Sequence, residues 1–409
     1  DNTVFQELYS WYLQSPEYRI LVKKLTEASF SERPSDKIGK TVAKILYGEI
    51  SPYSATRLER FAACAFAHFL QYGLKVTERA EYEFRAMDMG NVMHMALEKF
   101  AAEVRKEGLD WAELTEEERN RIIDSCLDQV SADYGNTILK SSARNEYMIE
   151  RTRRILRRTV WALQEQLKHG AFRPEGFEVR FQGGRIDRVD IMEEPENNRV
   201  YVKVIDYKTG NTSFDLLALY HGLQLQLMVY LDGALQVEKR KYPDREIVPA
   251  GVFYYNVKDP MIQEKIHADM ESINEQMLKK MKMNGLVQAD DNMSTKIDST
   301  MASIPVSLNR DGSFSKRSSV ASRKQFDALG AYVRRKICDI RESILDGNAA
   351  VEPYELGKKN ACTYCPYLTV CGFDRKIPGY EFHRLSSIEE DALWKKIMKG
   401  EEENGSEMD

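Results

Sequence analysis

Two carboxylates and a lysine carry the clearest chemistry in this sequence. Asp206 and Lys208 close the strand-like run Val202 to Lys208, and Asp187 stands nineteen residues before Asp206 in Gly-Gly-Arg-Ile-Asp-Arg-Val-Asp. Residues two apart on a strand share a face, so Asp206 and Lys208 emerge together. Carboxylates from adjacent strands hold a hard divalent cation, Mg²⁺ or Mn²⁺, through oxygen. A cation, a water of lowered pKa and an ammonium at one point are what phosphodiester hydrolysis requires, because its transition state is dianionic. The expected centre is that of a metal-dependent nuclease, with Lys208 orienting the water or helping to deprotonate it. An Asp-x-Lys triplet alone is common on surface strands. Asp187 adds weight, since an inward aspartate behind a Gly-Gly turn is costly without a cation or hydrogen-bond partners.

Gln226 and Tyr230 are four apart on the next helical segment and share a face, with Gly222 one turn earlier permitting a close backbone approach. They equally suit an ordinary helix surface. His94 sits beside an apolar stripe of Val92, Met93, Ala96, Leu97 and Phe100 and projects off it. Such a histidine is often a plain surface residue, but it becomes a third metal ligand if its helix packs beside the strands.

A second constellation is Cys362-x2-Cys365-x5-Cys371, with Cys64 far upstream. Without secretory signals, three thiols this close point to metal ligands rather than disulfides. Cys64 is the preferred fourth ligand, because Cys126 and Cys338 lie in helical patterns where cysteine serves as a small apolar residue. Spacing allows zinc or an iron–sulfur cluster equally. Either would close nearly three hundred residues into one loop, a plausible staple because loop-closure entropy grows only logarithmically with length.

These residues need a scaffold of strands and helices, and the hydrophobic pattern supplies one. Helical periods run through residues 54–74, 90–107, 113–135 and 143–169, the last with Leu156, Val160, Leu163 and Leu167 on one face. From Phe177 the pattern changes to β-rich runs, Glu178 to Phe181, Arg185 to Met192 and Val200 to Tyr207, bounded by Gly-Gly and Pro-Glu-Asn-Asn turns. A helix over 215–237, a strand over 251–257 and helices over 261–283 and 325–345 follow, while 284–325 reads as a polar, loop-bearing insertion. Residues 1–50 read as helices broken at Ser31 to Asp36, and Ser51-Pro52-Tyr53-Ser54 as a turn into a new unit. The end of the chain, residues 376–409, reads as a tail, acidic and disordered beyond Glu401.

The 409 residues are 43% hydrophobic and 30% charged, with no apolar run near the roughly 18–20 residues that span a bilayer and no signal peptide, which predicts a cytoplasmic protein without membrane contact. The chain opens on Asp1 in an already helical pattern and so reads as part of a longer polypeptide. A net charge of −5 gives no global attraction to nucleic acid, so any DNA contact must be local. The candidates are Arg151, Arg154 and Arg158 among the five arginines between 151 and 158, and Lys316 and Arg317 in a serine-rich segment. Each group equally suits a solvated face. Gly39-Lys40-Thr41 mimics the end of a phosphate-binding loop, but Pro34 stands five residues before Gly39 and no apolar strand precedes it, so no ATP site is assigned.

Together, Gly90 to His94, Gly-Gly-Arg-Ile-Asp187, Asp206-Tyr-Lys-Thr209, Gln226 to Tyr230 and the one-plus-three cysteines resemble the RecB-like branch of the PD-(D/E)XK nucleases. The likeness covers about residues 51–375. Ser54-Ala-Thr-Arg-Leu-Glu-Arg-Phe-Ala-Ala-Cys64, Asp311-Gly-Ser-Phe-Ser-Lys-Arg-Ser-Ser-Val and Asn360-Ala-Cys-Thr-Tyr-Cys-Pro-Tyr are similar to the iron–sulfur nuclease domain of AddB-type subunits in bacterial AddAB helicase-nucleases. The implied fold is α/β, a small mixed sheet flanked by helices, with a helical lobe over 54–170 and a catalytic core over 177–257. The resemblance implies that His94, Asp187, Asp206 and the Tyr207 carbonyl bind the catalytic cation, with Lys208 and Gln226 completing the centre and Tyr230 beside it. It also implies a [4Fe-4S] cluster on Cys64, Cys362, Cys365 and Cys371 that secures the domain and its grip on DNA ends. The implied partner is an AddA-like subunit in a heterodimer. The implied task is cutting the 5′-terminated single strand as a helicase unwinds a double-strand break for recombinational repair. Ala65 departs from the proline often found after the first cysteine, which leaves the local turn open but not the ligand. Two rivals are a free-standing Cas4-like iron–sulfur exonuclease, against which the stretch 309–325 argues, and a cluster-stapled DNA-end clamp that does not cut, against which Asp187, Asp206 and Lys208 argue.

Overall fold

The computed structural model describes residues 2–29, 37–48, 54–79, 86–134, 142–262, 269–377 and 379–405. Six strands form one mixed sheet in the order β1 (Arg173–Phe181), β2 (Gly184–Glu194), β3 (Arg199–Lys208), β4 (Glu246–Asn256), β5 (Asn284–Gln288) and β6 (Val320–Ala321). β1 to β3 are an antiparallel meander, and β3 and β4 run parallel. A parallel pair needs a crossover, supplied here by the helix Gln226–Lys241, which packs on both strands. The run Val200-Tyr-Val-Lys-Val-Ile205 does not alternate in polarity because β3 is buried on both faces.

One face carries the helical lobe of Ala86–Lys106, Glu116–Asp133 and Ala143–Lys168. Thr115 and Glu118 form a reciprocal capping box that starts the second of these helices. Leu156, Val160, Leu163 and Leu167 are buried as their spacing predicts, in a core shared with Tyr201, Ile205, Tyr207 and Phe253 of the sheet. On the other face Leu227 and Leu231 of the crossover helix, Phe326 and Val333 of Arg323–Leu345 and Trp394 of Glu390–Gly405 cover Val200, Val202 and Val204.

Several expectations change. The helix read over 215–237 is two, Leu216–Tyr220 and Gln226–Lys241, because Gly222 takes a left-handed φ of 81° and breaks the run. The segment 284–325 carries, besides a long irregular stretch, β5 and β6 of the sheet, and Gly285 lets β5 approach β4 so closely that a Cβ there would lie 1.9 Å from the Val252 carbonyl oxygen. The segment read as a tail adds a strand at His383–Arg384 and a helix running through Gly405, past Glu401, with Leu393, Trp394 and Ile397 buried. Cys338 is exposed rather than part of an apolar stripe, whereas Cys126 is buried as expected. The break at Ser31 to Asp36 and most of the turn at 51–54 lie outside the described residues.

Candidate active site

β2 and β3 pair Arg188 with Ile205, which sets Asp187 and Asp206 at adjoining places at the ends of the two strands. Both are buried, at 9% and 2% exposure. Asp187 Oδ2 accepts the Tyr207 N–H at 2.7 Å and lies 3.4 Å from His94 Nδ1. The Lys208 ammonium lies 2.7 Å from Asp206 Oδ2 and donates to Gln226 Oε1 at 2.7 Å; Gln226 Nε2 in turn donates to the Tyr230 hydroxyl at 2.9 Å. Strands from the sheet, the Ala86–Lys106 helix from one face and the Gln226–Lys241 helix from the other therefore bring His94, Asp187, Asp206, Lys208, Gln226 and Tyr230 together. Gly90 belongs to the same contact, since a Cβ there would lie 3.3 Å from Thr209 Oγ1.

One residue was missed. The ligand atoms of His94, Glu178 and Asp187 all lie within 4.8 Å of one another, while Asp206 stands outside this close trio. Glu178 sits in β1 between the pairs Phe177–Arg188 and Val179–Ile186, across from Asp187. Its φ of 51° is a strained value for a non-glycine residue, of the kind that clusters at functional sites. The signal was present: the two-residue turn Gln182-Gly183 pairs Phe181 with Gly184, and counting back along that hairpin places Glu178 opposite Asp187.

The electrostatics fit a cation. Burial, and then the neighbouring Asp206 charge, push the Asp187 carboxyl well above its usual range. Burial also raises Asp206, opposed by Lys208, and raises Glu178, opposed by Arg185. Burial and then Lys208 lower the His94 imidazole, keeping it in the neutral form that ligates metals. Among the described residues Asp206 Oδ2 has the Lys208 ion pair but no aligned hydrogen-bond donor. Carboxylates that resist ionisation through burial and mutual repulsion are stabilised as anions by a divalent cation.

The sequence profile of the PD-(D/E)XK nuclease superfamily matches residues 52–372. The chain belongs to this superfamily. Its mixed sheet flanked by helices is the PD-(D/E)XK fold, and members use divalent metals. Three similar proteins are each named as one subunit of an ATP-dependent helicase/deoxyribonuclease. They come from Lachnoclostridium phytofermentans (40% identical, covering 98% of this chain and 36% of the relative), Alkaliphilus metalliredigens (35%, 96% and 36%) and a Thermoanaerobacter species (33%, 100% and 37%). The chain thus spans little more than a third of the length of these curated relatives. No helix among the described residues of this PD-(D/E)XK chain is long and apolar enough to cross a membrane.

Away from the carboxylates, Cys64, Cys362, Cys365 and Cys371 line one small, largely apolar cavity with Phe66, Tyr367 and Phe373. Burial and then the three neighbouring cysteines push the Cys362 thiol up to about 11, so thiolates here require a cationic centre. Cys64 has extended backbone, and Ala65 is the first residue of the short helix that follows it. A proline is tolerated at that position because its N–H has no intrahelical partner, so the alanine makes the same turn.

Two of the three arginines expected to meet DNA have an acidic partner. Arg154 and Arg158 both pair with Asp259, and Arg153 and Arg157 with Asp124, on a helix face where Arg154 and Arg157 stay exposed. Arg151 and Lys316 are exposed. Arg317 lines a groove of about 600 Å³ with Lys258, Lys279, Lys280 and Lys282, beside Asn211, Thr212 and Ser213 just beyond Lys208.

Proposed function

We propose that this chain is a Mg²⁺-dependent exodeoxyribonuclease domain of a helicase-nuclease subunit, hydrolysing single-stranded DNA delivered by an AddA-like partner. The observation that carries the reading is the convergence of Asp187, Asp206, Lys208, Gln226 and His94 at the ends of β2 and β3, with Lys208 held between Asp206 and Gln226 at 2.7 Å each. His94, Asp187, Asp206 and Glu178 would hold the divalent cation, which when bound polarises the phosphodiester and lowers the pKa of water. The Tyr207 N–H fixes the Asp187 carboxylate. Lys208 places a positive charge where charge develops on the phosphoryl oxygens, and Gln226 keeps that ammonium from swinging onto Asp206 alone. The relatives' name supports deoxyribonucleic acid as substrate and a partner subunit. Cutting of the 5′-terminated strand during recombinational repair in the cytoplasm belongs to the same proposal.

A four-thiolate cluster, [4Fe-4S], is the proposed occupant of the cysteine cavity. The four thiols that line one small cavity support this reading.

End-labelled single-stranded DNA tests the reading. With Mg²⁺ the chain releases short products from the 5′ end, and chelation stops the reaction; full-length DNA at all times with Mg²⁺ present would leave the non-cutting clamp as the correct description. Lys258, Lys282 and Arg317 form no close ion pair among the described residues and are the proposed phosphate track. Replacing Lys258 and Arg317 by alanine weakens single-strand binding whatever the sequence. It also flattens the plot of log affinity against log salt by about 0.7 for each phosphate no longer neutralised. An unchanged slope removes the groove from the DNA path.

A further inference from the structure

The crossover helix that carries Gln226 and Tyr230 does not cap itself. Its N-cap residue is Leu225, which offers no side-chain acceptor, and the chain reaches it through the Gly222 break. The two exposed donors are taken by a residue from another helix: Glu59 Oε1 accepts the Leu225 N–H at 2.7 Å and the Gln226 N–H at 2.9 Å. In its ionised form, which burial opposes, the Glu59 carboxyl also meets the positive end of the helix dipole.

Glu59 lies on the helix Ala55–Ala63, which ends directly at Cys64. Five residues, about 7.5 Å of helical rise, separate the two. The next residue, Arg60, reaches the other way: its Nη2 lies 3.9 Å from Cys365 Sγ, and its guanidinium sits over the Tyr367 ring at 5.6 Å. Ala62 closes the contact on the active-site side, where a Cβ on Gly222 would come within 3.2 Å of its methyl. One short helix thus touches the cysteine cavity through Arg60 and Cys64, the start of the catalytic helix through Glu59, and the Gly222 break before it through Ala62.

We propose that Glu59 is a positioning residue that couples the four-cysteine centre to the nuclease centre, by capping the Gln226–Lys241 helix from a helix whose end is fixed by Cys64 and Arg60. The cap sets where Gln226 Oε1 stands, and Gln226 Oε1 sets where the Lys208 ammonium stands. Loss of the cysteine centre frees the end of the Glu59 helix, loosens the cap and lets Lys208 turn toward Asp206. The proposal rests on the nuclease and metal-centre readings above, and amide exchange tests it independently of both.

The experiment compares the full chain with Glu59→Ala, Glu59→Gln and Arg60→Met, measuring hydrogen exchange, metal content, visible absorbance and single-strand cleavage. In Glu59→Ala, exchange at Leu225 and Gln226 accelerates about tenfold, the factor that one missing helix cap supplies, and kcat falls with KM for DNA and the metal centre unchanged. Glu59→Gln keeps an acceptor and restores most of both readouts. Arg60→Met, which keeps all four cysteines, accelerates exchange at the same two amides, as does Cys362→Ser in its folded fraction. Unchanged exchange at these amides in Glu59→Ala overturns the capping role. Acceleration there but not in Arg60→Met or Cys362→Ser overturns the coupling. Absence of cleavage in the parent chain leaves the exchange outcomes intact and refutes only the nuclease reading.

Discussion

Asp187→Asn lowers phosphodiester hydrolysis roughly a thousandfold, in the range found when one charge-stabilising group is removed from a preorganised site, yet leaves the metal-free protein at least as stable as the parent. The substitution is isosteric and keeps an oxygen to accept the Tyr207 N–H, so the local backbone stays in place. What disappears is one of two buried negative charges that meet at the ends of β2 and β3. The Asp187 carboxyl stands well above its ordinary value through burial and then repulsion by Asp206. A raised carboxyl binds its proton more tightly in the folded state. The contribution of this group to the stability of the metal-free parent is therefore greatest below the ordinary carboxylate range and declines as pH rises through the raised value. At neutral pH the asparagine variant escapes that penalty, while the parent recovers stability by binding Mg²⁺. Thermal melting in chelator and in Mg²⁺, alongside a cleavage assay, reads both effects. Cleavage within tenfold of the parent would falsify the role of Asp187, and a Mg²⁺-induced rise in melting temperature that persists undiminished in the variant would place the cation elsewhere.

Asp190→Asn produces the largest loss of stability, about 3–5 kcal/mol, because it strips the counter-charge from two buried cations. Asp190 takes Arg188 Nε at 2.6 Å and Nη2 at 2.9 Å and the Lys203 ammonium at 3.0 Å, and none of the three residues exceeds 4% exposure. Arg188 also lies over the rings of Trp111 and Phe177, and Lys203 over Phe172, so neither cation has a route to water. Burial works to raise the Asp190 carboxyl, but Arg188 and Lys203 together outweigh it and hold it below the usual range. Its stabilisation is accordingly present at neutral pH and lost only as acid carries the pH down through that lowered value. Urea unfolding measures the change. Replacing all three residues by apolar ones of similar volume should be nearly neutral, since a buried ion cluster offsets little more than its own desolvation. A loss below about 1 kcal/mol for the single variant, the level of an exposed pair, would show that water reaches the cluster.

Much of this was legible in the chain. Asp187, Asp206 and Lys208 were identifiable because alternation along a strand is rigid: Asp206 and Lys208 share a face of β3, and the turn Gln182-Gly183 fixes the faces of β1 and β2 as far back as the register shift at Gly176. The apolar stripe of the Ala143–Lys168 helix was legible for the same reason, with a period of 3.6 in place of two. The ion pairs of its arginines were not, because a run of positive charge does not record which carboxylates distant in sequence, here Asp124 and Asp259, it meets. The segment 284–325 misled because a two-residue strand and a five-residue strand have too few positions to show a period, and Gly285 owes its place to a neighbouring strand rather than to a local turn.

The sequence by itself determined which chemical groups are available and which elements carry them: carboxylates and a lysine at strand ends, a glutamine and a tyrosine one helical turn apart, and four thiols in a one-plus-three spacing. Local periodicity and covalent spacing suffice for that. Only the tertiary structure decided the company these groups keep. It brought His94 from the helical lobe to 3.4 Å from Asp187, set Glu178 within 4.8 Å of both, and passed Arg154 and Arg158 to Asp259. It also set Glu59 on the end of the helix that holds Gln226. Each of these contacts joins residues that chain entropy holds apart until the core forms, and no local pattern records them.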